Sequence, residues 1–239
     1  MKLSIVIPCL KEEGYIAGTI KQFATLTIPH EVIVSDGGSP DKTVEIATPL
    51  ADKITVMKDG RPTPSRQRND GARLATGEFL AFVDSSVRVP NPEQFFERAL
   101  AKFDADPELV ALTGPQNIFA EIETWADKLF LGFQNQNIRF HNNFMHVGMG
   151  TGKFMLMRRT SFERIQGFRE DLVCGEDLDL VYRLSRIGKT RYDTDMQIYY
   201  PGRREHGLGW PRLLFIWVGN VFWITLTGKA WLKEWRPVR

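Results

Sequence analysis

The sequence predicts an α/β fold: a mostly parallel central sheet with helices on both faces, followed by an apolar helical tail. Two observations predict the sheet. Short β-branched and apolar runs alternate with helical segments of roughly ten residues, the order expected of parallel strands joined by crossover helices. Those runs are apolar throughout rather than at alternate positions, as in a sheet covered on both faces. A third observation, the stretch LLFIWVGNVFWITL at 213–226, predicts the tail.

Leu3 to Ile7 reads as a buried strand and not as a secretion signal, because the apolar run is short and Lys11, Glu12 and Glu13 follow at once. A helix is expected over Glu13 to Phe23, a strand over Val32 to Val34 and a helix over Thr43 to Ala51. Ile54 to Met57 reads as a strand, Ser65 to Ala75 as a helix closed by Gly77, and Phe79 to Val83 as the fourth strand. Asn91-Pro92 is a helix start, a cap followed by proline in the first turn, and that helix runs to about Phe103. Val110 to Thr113 is a further strand. One helix holding Trp125, Leu129, Phe130 and Phe133 is expected next, then an Asn- and His-rich loop. Lys153 to Met157 resumes as a strand, and Thr160 to Glu163 reads as a capping box opening a short helix that Gly167 ends. Asp177 to Ile187 reads as the last helix before the tail.

At 239 residues, 43% hydrophobic and 25% charged, the composition is that of a folded globular chain and not of a disordered one. Charge is uneven. From 203 onward seven Arg and Lys side chains meet two Glu, a local +5, which leaves −3 on the preceding residues out of a net +2. A basic tail on a mildly acidic body predicts an anionic partner for the tail. Cys9 and Cys174 are too few and too far apart for a disulfide framework, and fit a reducing compartment.

Three acidic stretches mark where chemistry is expected. Asp84 ends an apolar strand, and strand ends of open α/β sheets face the ligand crevice. Asp36-Gly37-Gly38-Ser39 follows the second strand. Its carboxylate can accept from a base N–H or a ribose hydroxyl while the glycines admit a ligand to the backbone; an ordinary turn is the alternative. Gly175-Glu176-Asp177 opens a helix. Acidic residues there complement the helix dipole, but Glu176, Asp177 and Asp179 together exceed what a cap needs, and a carboxylate so placed can act as general base. GMGTGK at 148–153 is not a phosphate loop. Val147 and Phe154 stand where a Walker loop needs Gly and Ser or Thr, and Lys153 where the dinucleotide fingerprint needs Gly. Its glycines are expected to let backbone approach a site closely.

Together these stretches resemble the inverting glycosyltransferases of family 2, which have a GT-A fold. SIVIPCLKEE is similar to that family's opening strand and its Pro-x-x-Asn-Glu turn, with Lys11 in place of Asn and Glu12 kept. VIVSDGGSPDKT resembles the nucleotide-binding second turn. SRQRNDGARLATGEFLAFVDSS resembles the helix leading to the Asp-x-Asp metal motif. GTGKFMLMRRTSFERIQGFRED and GEDLDLVYRLSRIG resemble the acceptor half with its Glu-Asp base. Four motifs in order, spread over most of the first 190 positions, carry the resemblance.

The resemblance implies a hexosyltransferase using a nucleotide diphosphate sugar, UDP-linked in preference to GDP-linked. Residues 1–114 would form the nucleotide-sugar half and 115–205 the acceptor and catalytic half of one domain, with 206–239 as the tail. Pro8, Glu12, Asp36, Gly38 and Ser39 would line the base and ribose, with Arg68 and Asn69 near the ribose or diphosphate. Asp84 matches the first carboxylate of Asp-x-Asp. Asp177 would deprotonate the acceptor, a hydroxyl or phosphate, with Glu176 beside it. Ser86 stands where the family has its second aspartate. A divalent cation, Mn²⁺ or Mg²⁺, is therefore expected only together with nucleotide, on Asp84 and on His206. His141 and His146 are further candidate ligands. Arg203 and Arg204 could instead hold the diphosphate.

Fourteen apolar residues cannot span a bilayer as a helix. Five of the six tryptophans lie between 210 and 235, flanked by Lys and Arg. That suits a helix lying on an anionic membrane surface through 208–239; docking on the body or an oligomer contact is the alternative. A cytoplasmic protein, peripheral on the inner face of the cell membrane, with a lipid-linked acceptor and no nucleic-acid partner, is then expected. Two rival readings stand. A catalytically degenerate nucleotide- or lipid-binding relative is suggested by Ser86 and opposed by the retained Glu176-Asp177. A sugar nucleotidyltransferase needs a Gly-rich basic loop after the first strand, which Lys11-Glu12-Glu13-Gly14 is not.

Overall fold

The computed structural model describes residues 2–232. The first half runs β1 (Leu3–Cys9), α1 (Ile16–Lys21), β2 (His30–Asp36), α2 (Thr43–Ala47), β3 (Lys53–Val56), α3 (Pro64–Arg73), β4 (Phe79–Val83) and α4 (Pro92–Ala105). Then come β5 (Leu109–Thr113), β6 (Gln116–Ile118), α5 (Trp125–Phe140), β7 (Phe154–Arg158), α6 (Arg159–Arg164) and α7 (Glu176–Ser185). β8 (Lys189–Tyr192), β9 (Ile198–Tyr200), α8 (Arg203–Leu208) and α9 (Trp210–Thr227) complete the described elements.

Seven strands form one sheet in the order β3-β2-β1-β4-β7-β5-β8, and β6 pairs with β9 apart from it. Every pairing in the large sheet is parallel except those of β7, which runs against both β4 and β5. The mostly parallel sheet expected from the sequence is present. Its central strands β1 and β4 are largely apolar because both of their faces are covered. Side chains alternate across a strand, so Leu3, Ile5 and Ile7 of β1 join Phe79, Phe96 and Phe103 in one core. Val6 points the other way, to Leu80, Phe82, Phe162, Phe168 and Leu180.

Several boundaries differ from expectation. α1 is shorter than Glu13 to Phe23, and Lys11 in the preceding turn takes φ +56°. α2 stops at Ala47, where Thr48 Oγ bonds back to the Val44 carbonyl. The expected capping box at Thr160 does not form: α6 starts directly after β7, and Arg158 precedes it. Pro92 does start α4, but Asn91 sits in the left-handed region and caps nothing with its side chain. α5 continues as a π-turn over His141–Met145 where a loop was expected. β6, β8, β9 and α8 were not expected at all.

The tail forms α9. Trp210, Leu213 and Asn220 bury one side of it, while Phe215, Val218, Phe222 and Leu226 stay exposed on another. No helix among the described residues is long and apolar enough to cross a membrane. Lys233, Trp235, Arg236 and Arg239, which carry part of the basic and aromatic character of the tail, lie outside the described residues.

One buried carboxylate pins the sheet edge. Glu31, 3% exposed, accepts from the Ser4 hydroxyl and from the backbone and hydroxyl of Thr76, and pairs with Lys53 Nζ at 2.6 Å. Burial raises its pKa, but the bonds from Lys53, Ser4 and Thr76 outweigh burial and hold it at about 2. Its folded pKa lies below the ordinary value of 4.5, so its stabilisation is complete above that pH and is lost as pH falls toward 2. Glu31→Gln should therefore lower stability by about 2–3 kcal/mol at neutral pH. In thermal melts the gap between variant and wild type should close as the pH is taken below 4.5; a gap independent of pH would refute the assignment.

Candidate active site

The parallel strands β1, β2 and β4 end on the same side of the sheet. β7 runs the other way, so its beginning meets the end of β4: Phe154 pairs with Val83, and the Asp84 N–H donates to the Lys153 carbonyl at 3.0 Å. The loop before β7 is thereby carried to the strand ends. α7 begins at the same place.

Arg68, from the middle of α3, joins these parts. Its side chain is 4% exposed. Nη1 donates to Glu176 Oε1 at 2.8 Å, and Nη2 to the Gly152 carbonyl at 3.0 Å and to Asp84 Oδ1 at 3.3 Å. Its Cζ lies 5.4 Å from the centre of the Phe168 ring. Burial lowers its pKa, but the charges of Glu176, Asp84 and Asp177 outweigh burial and raise it, so the guanidinium is always charged. The second oxygen of Asp84 lies 3.4 Å from Lys153 Nζ, and that ammonium sits 4.7 Å above the Tyr200 ring.

Gly152 links the arginine to the base candidate: its carbonyl accepts from Arg68 while its N–H donates to Asp177 Oδ2 at 2.6 Å. A Cβ there would fall 2.6 Å from Arg68, which explains the glycine. Glu176 and Asp177 differ in exposure. Glu176 is 7% exposed and bound to Arg68. Asp177 is half-buried, and its oxygens meet only the N–H groups of Gly152 and Leu178, leaving lone pairs unused. Burial raises the pKa of both carboxyls; the Asp177 charge adds to the rise at Glu176, and Arg68 opposes it at both.

The second-strand turn is organised by Asp36. Fully buried, it accepts from the N–H groups of Gly38 at 2.8 Å and Ser39 at 2.7 Å, and from the Ser39 hydroxyl and the Cys9 thiol. Gly38 takes φ +87° in this turn, and Ser39 Oγ accepts the Lys11 N–H at 2.7 Å, tying it to the turn after β1. Pro8 is buried within β1 opposite Ser35. Glu12 accepts Arg203 Nη2 at 2.8 and 3.0 Å on its two oxygens. Arg203 also reaches Ser86 Oγ at 3.4 Å and lies 4.9 Å over the Tyr15 ring. Half-buried Arg204 follows; burial lowers its pKa, against the nearby charges of Glu205 and Asp84.

Asp84, Arg68, Glu176 and Asp177 are thus brought together, with Glu12 and Ser86 both bound to Arg203. Asn69 is not among them. One residue along a helix turns a side chain by about 100°. Asn69 Nδ2 instead donates to the Phe168 carbonyl and to Glu170 Oε1, both at 2.9 Å, and its Oδ1 accepts the Phe168 N–H. His206 Nε2 lies 2.8 Å from Asp127 Oδ2. Asp127 also accepts from Trp210 Nε1 and from Thr124. Burial raises its pKa, but these bonds prevail and hold it at about 2. His141 Nδ1 faces the Asn137 carbonyl at 2.9 Å, and His146 ends the π-turn with φ +54°. A cavity of about 480 Å³ lies on the far side of α3, lined by Asn69, Arg73, Phe162 and Glu170 and by none of the clustered carboxylates.

The donor set does not compose a site for a resident divalent cation. Each Asp84 oxygen faces a cation of the chain, Ser86 supplies one neutral oxygen that accepts from Arg203, and His206 faces Asp127. Among the described residues no group of three or more His, Cys, Asp or Glu could hold a metal ion. The residues that sequence reasoning passed over are Gly152 as the bridge and Lys153 as the second cation on Asp84. A lysine directly after a Gly-rich turn at a strand start was the available signal.

An open α/β sheet with one antiparallel strand delivering acidic and basic groups to the parallel strand ends is the GT-A architecture that the sequence predicted. Residues 4–166 match the model of glycosyl transferase family 2, and the chain belongs to that family. It is similar to the succinoglycan biosynthesis protein ExoA of Rhizobium meliloti (strain 1021), 31% identical over 221 residues, covering 86% of this chain and 65% of that protein. It is also similar to the validoxylamine A glucosyltransferase of Streptomyces hygroscopicus subsp. limoneus, 26% identical over 223 residues, 78% of this chain and 48% of that one. The chain therefore spans less than two thirds of either relative. The mannosyltransferase PcManGT of Pyrobaculum calidifontis, solved with GDP-Man and Mn²⁺, superimposes with a TM-score of 0.74 at 18% identity, over 96% of this chain and 65% of that one. TarS of S. aureus, solved with UDP-GlcNAc, gives 0.65 at 19% identity, over 83% and 58%. At such identities these two structures establish the fold.

Asn69→Ala should lower stability by about 1–3 kcal/mol, the cost of stranding buried partners, and leave nucleotide affinity unchanged. Denaturant melts and calorimetric titration with UDP and GDP measure both; a loss of affinity without a loss of stability would place Asn69 at the nucleotide.

Proposed function

We propose that this protein is an inverting glycosyltransferase, moving a hexose from a nucleotide diphosphate sugar to an acceptor hydroxyl or phosphate, with Asp177 as general base. The observation that carries this reading is the convergence of Asp84, Glu176 and Asp177 on buried Arg68 at the strand ends of a family 2 chain. The acceptor proton passes to Asp177, and the acceptor oxygen attacks the anomeric carbon on the face opposite the leaving group. The bond from that carbon to the phosphate oxygen breaks, and its electron pair stays on the diphosphate. Of the two carboxylates, Asp177 is the more exposed and the less committed, whereas Glu176 holds Arg68 and through it Gly152 and Asp177. Glu12, Pro8 and the Asp36–Ser39 turn flank the donor base and ribose. Relatives solved with GDP-Man and UDP-GlcNAc support a donor of this class, and UDP is the preferred carrier. The intact Arg68–Glu176 pair argues against a degenerate binding protein.

Asp177→Asn should keep donor affinity and lower kcat by roughly a hundredfold or more. Because the folded pKa of Asp177 is raised by burial, the base is protonated, and idle, up to a pH above the ordinary 3.8. The acid limb of kcat/KM for the wild type should accordingly lie above that value. Wild-type turnover in the variant, or a limb at or below 3.8, would remove Asp177 from the role.

We also propose that the outward face of α9 lies on an anionic membrane surface, which favours a lipid-linked acceptor and a place on the inner face of the cell membrane. Phe215, Val218, Phe222 and Leu226 are exposed on α9, and Trp125, Leu129 and Phe133 on α5. Phe130 of α5 stacks on Trp210 at 5.1 Å, which sets the two helices against each other. Arg212 and Lys229 flank the apolar run and suit anionic headgroups. The full chain should float with phosphatidylglycerol liposomes at low salt, less so at high salt, and Phe222→Asp should weaken flotation several-fold. Full-length protein that stays at the bottom of the gradient would make the tail a packing element only.

A further inference from the structure

We propose that Lys153, together with Arg203, neutralises the leaving diphosphate, so that transfer by this chain does not depend on a divalent cation. The inference rests on the glycosyl-transfer reading above. At the strand ends Glu12, Asp84, Glu176 and Asp177 are matched by Arg68, Lys153, Arg203 and Arg204. The site is thus close to neutral before any donor enters. A nucleotide diphosphate sugar brings two negative charges, and bond cleavage adds a third.

The cations differ in how far they are committed. Arg68 is 4% exposed and donates to Glu176, Gly152 and Asp84 at once. It holds the site together and has little freedom to follow a ligand. Lys153 is 30% exposed and lies 3.4 Å from Asp84, a loose ion pair. Its other contact is the face of the Tyr200 ring, whose hydroxyl donates to Glu205 at 2.9 Å. An ammonium resting on a ring and loosely paired with one carboxylate can turn to a phosphate oxygen with small loss. Arg203, 25% exposed, holds Glu12 with a single nitrogen and touches Ser86. Its remaining guanidinium nitrogens suit phosphate oxygens.

Ser86 completes the argument. A second carboxylate at that position would add a charge that calls for a cation; the serine oxygen instead accepts from Arg203. Asp84 alone, facing Arg68 on one oxygen and Lys153 on the other, is a poor cation ligand and a good anchor for two positive side chains. During transfer the electron pair of the breaking bond goes to the diphosphate oxygen. The acceptor proton goes to Asp177 and then to solvent. Lys153 keeps its proton throughout and acts by charge, a preorganised stabiliser of the developing anion.

The test uses the full chain freed of metal with excess EDTA. UDP, GDP and UMP are titrated calorimetrically into wild type, Lys153→Met and Lys153→Arg, each checked for fold by circular dichroism. Wild type should bind UDP or GDP in EDTA, and Mn²⁺ or Mg²⁺ should change that affinity less than threefold. Lys153→Met should bind the diphosphate about tenfold or more weakly, with UMP binding close to wild type, and Lys153→Arg should recover most of the loss. With donor and acceptor, Lys153→Met should lose about a hundredfold in kcat, and added Mn²⁺ should not restore it. Diphosphate binding by wild type only when Mn²⁺ or Mg²⁺ is present would overturn the proposal and establish a cation carried in by the diphosphate on Asp84. Equal diphosphate affinity in Lys153→Met and wild type would overturn it as well. Wild type that binds neither UDP nor GDP, with metal or without, would overturn the glycosyl-transfer reading and this inference with it.

Discussion

The fold and the site both depend on one buried guanidinium. Arg68 holds Asp84 at the end of β4, Glu176 at the start of α7 and the Gly152 carbonyl before β7, so a single side chain of α3 fixes three segments far apart in sequence. Carboxylates gathered at a poorly solvated place repel one another and lose hydration; removing the arginine would leave buried Glu176 without its ion-pair partner, which costs several kcal/mol. Only arginine does this well. Its planar fork presents several donors in fixed directions and cannot be deprotonated. Lysine offers a point charge and could not serve Glu176 and Gly152 with separate nitrogens. The cost is visible too, since Arg68 Nε is buried with no hydrogen-bond partner among the described residues.

The antiparallel β7 is what makes that gathering possible. In a wholly parallel sheet every loop leading into a strand lies at the end away from the ligand crevice. Reversing one central strand brings its leading loop, residues 148–153, to the crevice beside Asp84. The half of the chain that carries the Asp36 turn and the half that carries Glu176 and Asp177 are joined there by main-chain hydrogen bonds. Positioning of Asp177 is therefore tied to the core of the sheet, where Phe82 packs on Phe162 and Phe168.

Much of this was legible in the sequence. The strands β1, β2 and β4 announce themselves by unbroken apolar runs, because both of their faces are buried. Asp84, Glu176 and Asp177 stand out because a carboxylate at a strand end or a surplus at a helix start needs a reason. β8 did not stand out: KTRY alternates exposed and buried positions at the sheet edge and carries little apolar character. β6 and β9 are three residues each and pair with one another, with Tyr199 of β9 also bridged to Arg88. The capping box at Thr160 failed because the chain enters α6 straight from a strand, with no free turn for a cap to close. His206 was legible as a histidine but not as the partner of Asp127, 79 residues earlier. Arg68 and Asn69 are adjacent in sequence, but the roughly 100° between successive helical side chains sends Asn69 to Phe168 and Glu170, contacts about a hundred residues away that the sequence does not announce.

α8 has a mechanical consequence. It is six residues long, yet Arg203 is held by Glu12, Glu205 by Tyr200, and His206 by Asp127, which also holds Trp210 at the start of α9. A short rod mounted at three points in different directions has no axis left to turn about. The contacts of α8 run from α9 through Asp127 to Arg203, and so to the turn that follows β1. The tail and the turn that follows β1 are thus linked through one short helix, and a shift of α9 would be felt at Glu12.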